Sequence, residues 1–209
     1  QIMEECQELF YIEDFEAELD LKIKLIGFEN GVYDLENGIF RDGISEDYIK
    51  YSTKINYYTD FDNFHPQVQE VAAFLHQILP IKDEREYAIR LLSSFLDGEI
   101  KGQKFHMWSG SGGNGKSKLI ELFQKTFGDY TTTFPSSLLT KTRAAAETAN
   151  PHLAAAKGKR FAVLQEPEKG EKLNIGLMKE LTGGDKITAR GLHRDPIEYY
   201  PQFKLVLTC

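Results

Sequence analysis

Cysteine, tryptophan and long apolar runs are what this 209-residue chain has least of. Its two cysteines, Cys6 and Cys209, stand near opposite ends, with no C-x-x-C pair and no zinc-type spacing. That excludes a disulfide framework and a cysteine-built zinc site, and it favours a reducing compartment, cytoplasmic or nuclear, over secretion. The five histidines are scattered, which argues against a metal cluster. No apolar stretch approaches the length of a membrane helix and no signal-peptide pattern opens the chain, so no membrane partner is expected. Basic residues are scarce in one region only. Residues 1–65 hold 5 of them against 16 acids, a net of −11, whereas residues 66–209 hold 20 against 16, a net of +4. The acidic excess of the whole chain thus belongs to its first third, and the remainder is compatible with phosphate partners.

Glycine is abundant at one place. Residues 104–128, KFHMWSGSGGNGKSKLIELFQKTFG, read as strand, glycine-rich turn and amphipathic helix. Gly110, Gly115, Lys116 and Ser117 satisfy G-x-x-x-x-G-K-[ST], with Ser111, Gly112, Gly113 and Asn114 between them. A nucleoside triphosphate needs inward-facing N–H groups around its β-phosphate, and glycines permit the turn that supplies them. The helix that follows adds its N-terminal partial positive charge. Lys116 is placed to span the β- and γ-phosphates, and Ser117 to sit on Mg²⁺. ATP and Mg²⁺ are therefore the expected cofactors. The run KFHMW suits a buried strand, and Leu119, Ile120, Leu122, Phe123 and Phe127 share one helical face.

Three stretches organise the chain: an acidic segment over 1–23, a small α+β unit over 24–100, and a phosphate-loop domain over 101–209. The acidic segment has no clear period and reads equally as a helix end, a linker or a frayed terminus. In the second stretch, Asn30-Gly31 and Asn37-Gly38 lie between apolar runs, the pattern of a β-meander whose central turn residues take positive φ. Pro66 opens a helix with Val68, Val71, Ala72, Phe74, Leu75 and Ile78 on its apolar face. A second helix from about Lys82 to Leu96 turns Tyr87, Ala88, Leu91, Leu92 and Phe95 inward, with Gly98 closing it. In the third stretch, Arg143–Thr148 is an alanine-rich helical run broken at Asn150-Pro151. Lys141, Arg143, Lys157, Lys159 and Arg160 read as a solvated basic face. RFAVLQEPE is a short buried strand ending in Gln165-Glu166. An acid at such a strand end, downstream of a phosphate loop, suits a group that orders water or the Mg²⁺ shell, and Glu166 is a better candidate than Glu168 beyond Pro167. A helix face of Leu173, Leu177, Met178 and Leu181 stops at Gly183-Gly184. A hairpin of KITARGL and IEYYPQF then turns across His193-Arg194-Asp195-Pro196, and FKLVLT is a last buried strand. The basic tip suits either DNA contact or simple solvation.

GSGGNGKS, then LQEPE, then ELTGGDKITAR with its hairpin and FKLVLTC, resemble the superfamily 3 helicases. They come nearest to the primase-helicase type of poxviruses and other large nucleocytoplasmic DNA viruses, with phage and plasmid relatives. Residues 24–100, down to GVYDLENGIF and the paired helices, resemble the domain preceding the helicase core in that group. The resemblance implies an α/β, AAA+-like core with a parallel sheet, working as a hexameric ring. It further implies ATP-driven translocation on single-stranded DNA and unwinding at a fork, at viral replication sites, with a primase domain upstream in the same polypeptide. Lys116 and Glu166 take the catalytic roles, and Ser117, Gln165 and Glu166 hold Mg²⁺, partly through water. His193 and Arg194, with Lys186 on the same hairpin, contact DNA. The sequence departs from the family at Gln165, where many relatives carry an acid. The family's polar sensor residue and arginine finger fall beyond Cys209, so the chain reads as a piece of a longer polypeptide. Two other readings remain beside this one: a small-molecule phosphate-loop kinase, and a nucleotide-binding oligomerisation module without turnover.

Overall fold

The computed structural model describes residues 11–12, 15–110, 112–140 and 149–209. The alanine-rich run over 143–148, together with Cys6, Ser111, Lys141 and Arg143, lies outside the described residues.

The meander forms as expected, from β1 (Leu25–Phe28), β2 (Gly31–Asp34) and β3 (Ile39–Arg41), all antiparallel in the order β1-β2-β3. Its turns are not the ones the Asn-Gly pairs suggest. Phe28 pairs with Gly31, so Glu29 and Asn30 form the first turn, and Asn30 is absent from the described positive-φ residues. Asn30 is committed elsewhere: its amide donates to the Tyr57 carbonyl at 2.9 Å and accepts the Tyr57 N–H at 2.8 Å. The second turn is ordered by Asp34, whose carboxylate accepts the N–H groups of Glu36 and Asn37 at 2.9 and 3.1 Å. Asn and Asp thus shape these turns through their side chains, and of each Asn-Gly pair only the glycine, Gly31 at φ 154° and Gly38 at φ 66°, takes the positive φ expected of it.

Helix α1 (Pro66–Ile78) starts where Pro66 has no N–H to leave unpaired, and the His65 ring accepts the Gln67 N–H at 3.3 Å. Its apolar stripe is only half used. Leu75 and Ile78 pack on the core, while Val71 is 43% exposed. Helix α2 (Lys82–Ser94) ends two residues earlier than its pattern suggests; Leu92 and the following Phe95 are buried, but Tyr87 points to solvent at 63% exposure. Helical periodicity identifies the right stripe and overestimates its width.

The second half is a four-stranded parallel sheet in the order β4-β9-β6-β5, from β4 (His106–Trp108), β5 (Thr131–Phe134), β6 (Phe161–Leu164) and β9 (Lys204–Thr208). Strand periodicity splits the core in two. Phe161 and Val163 of β6 and Val206 of β9 face helix α3 (Lys116–Phe127), through Leu119, Ile120 and Phe127, and also Leu92 and Phe95. Ala162, Leu164, Leu205 and Leu207 face the other way, onto helix α4 (Ile175–Gly183) and the hairpin of β7 (Ile187–Arg190) and β8 (Pro196–Tyr199). Such strands, apolar on both faces, are those of a sheet covered on both sides. Strand β4 differs from its expected burial. It is at the sheet's edge, and Met107 is 55% exposed.

The basic run Lys157–Arg160 is not a solvated face. Arg160 is 1% exposed, and its guanidinium donates to the carbonyls of Ile23 (2.8 Å), Lys22 (3.3 Å) and Leu25 (3.4 Å). Burial depresses it to about 10. Nearby, the Tyr130 hydroxyl accepts the Gly27 N–H at 2.8 Å and donates to the Tyr51 carbonyl at 3.0 Å. Lys159 lies 3.9 Å from the centroid of the Tyr51 ring. The meander is thus fastened to the entry ends of β5 and β6 by polar groups inside the core.

Candidate nucleotide and nucleic-acid sites

The phosphate loop leaves β4 and enters α3, as the strand–turn–helix pattern requires. Gly113 and Gly115 have φ of 78° and 84°, left-handed values that cost an L side chain energy and glycine almost none. The entrance to the loop is stitched to the end of β9: Gly110 donates to the Cys209 carbonyl at 3.2 Å, and Cys209 donates to the Trp108 carbonyl at 3.0 Å. Lys116, the first helical residue, folds its ammonium back over the loop. It donates to the Gly110 carbonyl at 3.0 Å and to the Asn114 side-chain oxygen at 3.2 Å.

A cavity of about 510 Å³ opens over this loop. It is lined by Gly110, Gly112–Lys118, Glu166, Thr208 and Cys209. Glu166 is 50 residues from Lys116 in sequence, and it arrives here because β6 ends at Leu164 in register with the loop side of the sheet. The Gln165 N–H still bonds to the Phe134 carbonyl at 3.0 Å, which fixes the exit of the strand. Side chains alternate at a strand end; Glu166 is among the lining residues and Gln165 is not. Glu168 is also outside this cavity, its N–H donating to the Glu171 carboxylate at 2.9 Å. Of the residues expected here, the described ones thus come together with the exception of Gln165.

Thr208, Cys209 and Lys118 join the site without any signal in the sequence. Strand β9 lies between β4 and β6, and strand order is not written in local pattern. The lining residues are of the types that a polyphosphate would require. The cavity offers a helix N-terminus, loop N–H groups, an ammonium, a hydroxyl and one carboxylate. The donor set fits Mg-ATP: Ser117 and Glu166 supply hard oxygens, and Lys116 supplies the charge that a β- or γ-phosphate requires.

The hairpin is present with Arg190 paired to Pro196 and its tip over 191–195. His193 adopts φ 55°, and the Arg190 side chain donates to the Arg194 carbonyl at 3.1 Å, closing the turn. His193 and Arg194 are exposed, beside Leu192 at 65% exposure. Lys186 is farther back, in an ion pair of 3.1 Å with Glu198 across the two strands. The tip lines a cavity of about 950 Å³ together with Glu16, Asp20, Lys50 and Lys157. This cavity shares no lining residue with the phosphate-loop cavity. No helix among the described residues is long and apolar enough to cross a membrane.

Two family models match: one described as D5 N terminal like, over residues 1–80, and a family of unknown function over residues 108–209. Among curated proteins, one named "Putative helicase" in Acanthamoeba polyphaga mimivirus is 44% identical over all of this chain and 22% of its own length. A like-named protein of Invertebrate iridescent virus 6 is 32% identical, again over the whole chain and 22% of its length. A "Putative primase" of African swine fever virus (strain Badajoz 1971 Vero-adapted) is 30% identical over 92% of the chain and 20% of its length. The chain therefore spans about a fifth of the curated relatives it matches. Among solved structures, the ligand-free NrS-1 C-terminal region is similar with a TM-score of 0.56 at 13% identity, over 90% of this chain and 40% of that one. That likeness concerns the fold.

Proposed function

The chain belongs to the viral primase-helicase family of large DNA viruses, and from that premise we propose that it is the nucleotide-binding part of an ATP-dependent replicative DNA helicase. One observation carries the reading. Glu166, far away in sequence, shares one cavity with the loop of Gly110, Lys116 and Ser117. The core is then an AAA+-like phosphate-loop domain working in a hexameric ring on single-stranded and forked DNA, at viral replication sites, with a primase domain in the same polypeptide.

In this reading the loop N–H groups and the α3 terminus hold the phosphates, and Lys116 draws charge toward the leaving β-phosphate oxygen. Glu166 accepts a hydrogen bond from the attacking water and orients it. Ser117 and, through water, Glu166 would hold Mg²⁺, which would supply charge neutralisation for the polyphosphate. The hairpin tip, with His193 and Arg194, meets the DNA backbone, and the Lys186–Glu198 pair stiffens the strands behind it.

The test uses the complete protein. Lys116→Ala is expected to abolish ATP turnover and DNA unwinding while leaving the circular-dichroism spectrum unchanged. Glu166→Gln keeps Mg-ATP binding and loses hydrolysis by at least about a hundredfold, because an amide retains the shape but cannot take up the proton. Glu168→Gln stays within a few-fold of the parent. Parental turnover in Lys116→Ala, or exchanged phenotypes at 166 and 168, sinks the assignment.

A further inference from the structure

The loop lysine does not hang freely over the cavity. Its ammonium has three N–H donors, and two are taken, by the Gly110 carbonyl at 3.0 Å and by the Asn114 side-chain oxygen at 3.2 Å. The third is left for the space in which a phosphate oxygen would arrive. Gly110 makes the room that Asn114 occupies: a Cβ built there would be 2.3 Å from the Asn114 amide nitrogen and 3.1 Å from the Lys116 ammonium. The first glycine of the motif thus leaves room for an amide, and the amide fixes the direction of the lysine.

We propose that Asn114 is a positioning residue for Lys116, holding the ammonium over the loop with one proton free for the incoming polyphosphate. The inference rests on the nucleotide-site reading above and adds to it a role for a residue that the motif itself leaves unspecified. A lysine on a helix's first turn otherwise explores many rotamers in water, and ordering it on binding works against affinity. Both acceptors are neutral, so they orient the ammonium without cancelling the charge that the phosphate needs. Asn114 acts only through Lys116, and removing it has no consequence once Lys116 is gone.

That last property gives the test, a double-mutant cycle read by calorimetric binding of inorganic triphosphate and of Mg-ATP to the complete protein. Asn114→Ala is expected to weaken both ligands about five- to tenfold, a loss of the size expected from a freed lysine side chain. In a Lys116→Ala background the same change shifts the already weakened affinity by less than twofold. Asn114→Asp, which offers the ammonium a carboxylate and sets a negative charge beside the phosphate, weakens binding more than Asn114→Ala. Equal losses in both backgrounds, or no loss in either, overturn the positioning role. Failure of the parent protein to bind either ligand overturns the nucleotide site itself, and so is distinguishable from failure of the Asn114 role alone. Gly110→Ala is the second variant: it displaces the Asn114 amide and reproduces the Asn114→Ala loss if the trio works as a unit.

Discussion

Lys204 begins β9 with its ammonium donating to the Asp97 carbonyl, close to the buried Arg160. Burial first, then the neighbouring guanidinium, push it from the ordinary lysine value down to about 8. A lysine lowered in the folded state leaves the unfolded chain holding more protons between pH 8 and the ordinary value. Stability therefore rises with pH across that window, and the charge penalty is fully present below it. Burial lowers Lys157 and Lys159 as well, with the same sign, while Tyr130, pushed up to about 12, opposes the trend only above pH 10. The unfolding free energy read from urea melts is thus expected to climb from pH 7.5 to 9.5, by at most about 1.4 kcal/mol per pH unit from Lys204. Lys204→Met reduces that slope, and a slope unchanged by the substitution would show that the buried ammonium is not its cause. Nothing in the sequence marks Lys204 or Arg160 as buried. A basic residue before an apolar strand is ordinarily solvated, and what buries these two is the meander, whose docking place no local pattern encodes. Lys116 and Glu166 were legible because their chemistry imposes a spacing and a strand end. Asn114 was legible as a residue of the loop, but its contact with Lys116 is side-chain geometry at a position whose type the motif leaves free.

At the scale of elements, the hairpin is where pattern and structure agree most closely. The alternation buried–exposed–buried–exposed over Ile187–Arg190 is the period of two that KITAR announces. The tip followed from its turn-forming residues. The helix pair was legible from periodicity bounded by Pro and Gly, and β6 as a short continuous apolar run, buried at all four positions. Strand β5 was not, because TTTF carries one core residue, Phe134, and its pairing with β6 is parallel and nonlocal. The exposure of β4 was missed because an apolar run does not say whether it will be central or at an edge. A functional expectation belongs to the hairpin. Arg194 is exposed at the tip, on a cavity separate from the phosphate loop, so truncating it should spare the fold and the oligomeric state. If the tip meets a DNA backbone, Arg194→Ala in the complete protein weakens single-stranded DNA binding and lowers the salt slope by about 0.7 per lost contact. His193→Ala has a smaller effect, since a neutral imidazole brings little charge. Affinity measured across a salt series decides it: parental affinity and slope in Arg194→Ala would leave the tip a solvated turn.

At the scale of the molecule, the stretch matched by one family model and the stretch matched by the other are not separable bodies. Ile26 of the meander, Leu92 and Phe95 at the end of the helix pair, and Leu119, Phe127 and Phe161 of the parallel-sheet half belong to one buried cluster. Arg160 then ties β6 to three carbonyl-bearing positions before and within β1. The acidic first third and the basic remainder therefore differ in charge without forming separate cores. A chain built this way unfolds as one unit. The single tryptophan, Trp108, is in β4 next to the glycine-rich loop and packs on the shared cluster, so its fluorescence follows the parallel-sheet half. Far-UV circular dichroism averages over all elements. The two are expected to report the same urea transition, with one midpoint. Arg160→Ala removes three hydrogen bonds, although the Lys22 and Ile23 carbonyls keep the N–H groups of Leu25 and Gly98, and it opens a cavity where a large, fully buried side chain stood, which should cost about 3–5 kcal/mol. Because the residue is at the seam, that loss moves both transitions together. Arg160→Met, which keeps most of the volume and gives up the hydrogen bonds, separates the two contributions and falls between parent and alanine. If the fluorescence midpoint stayed in place while the dichroism split into two steps, the meander would be a domain of its own, and the polar seam at Arg160 would be a contact between neighbours rather than part of one core.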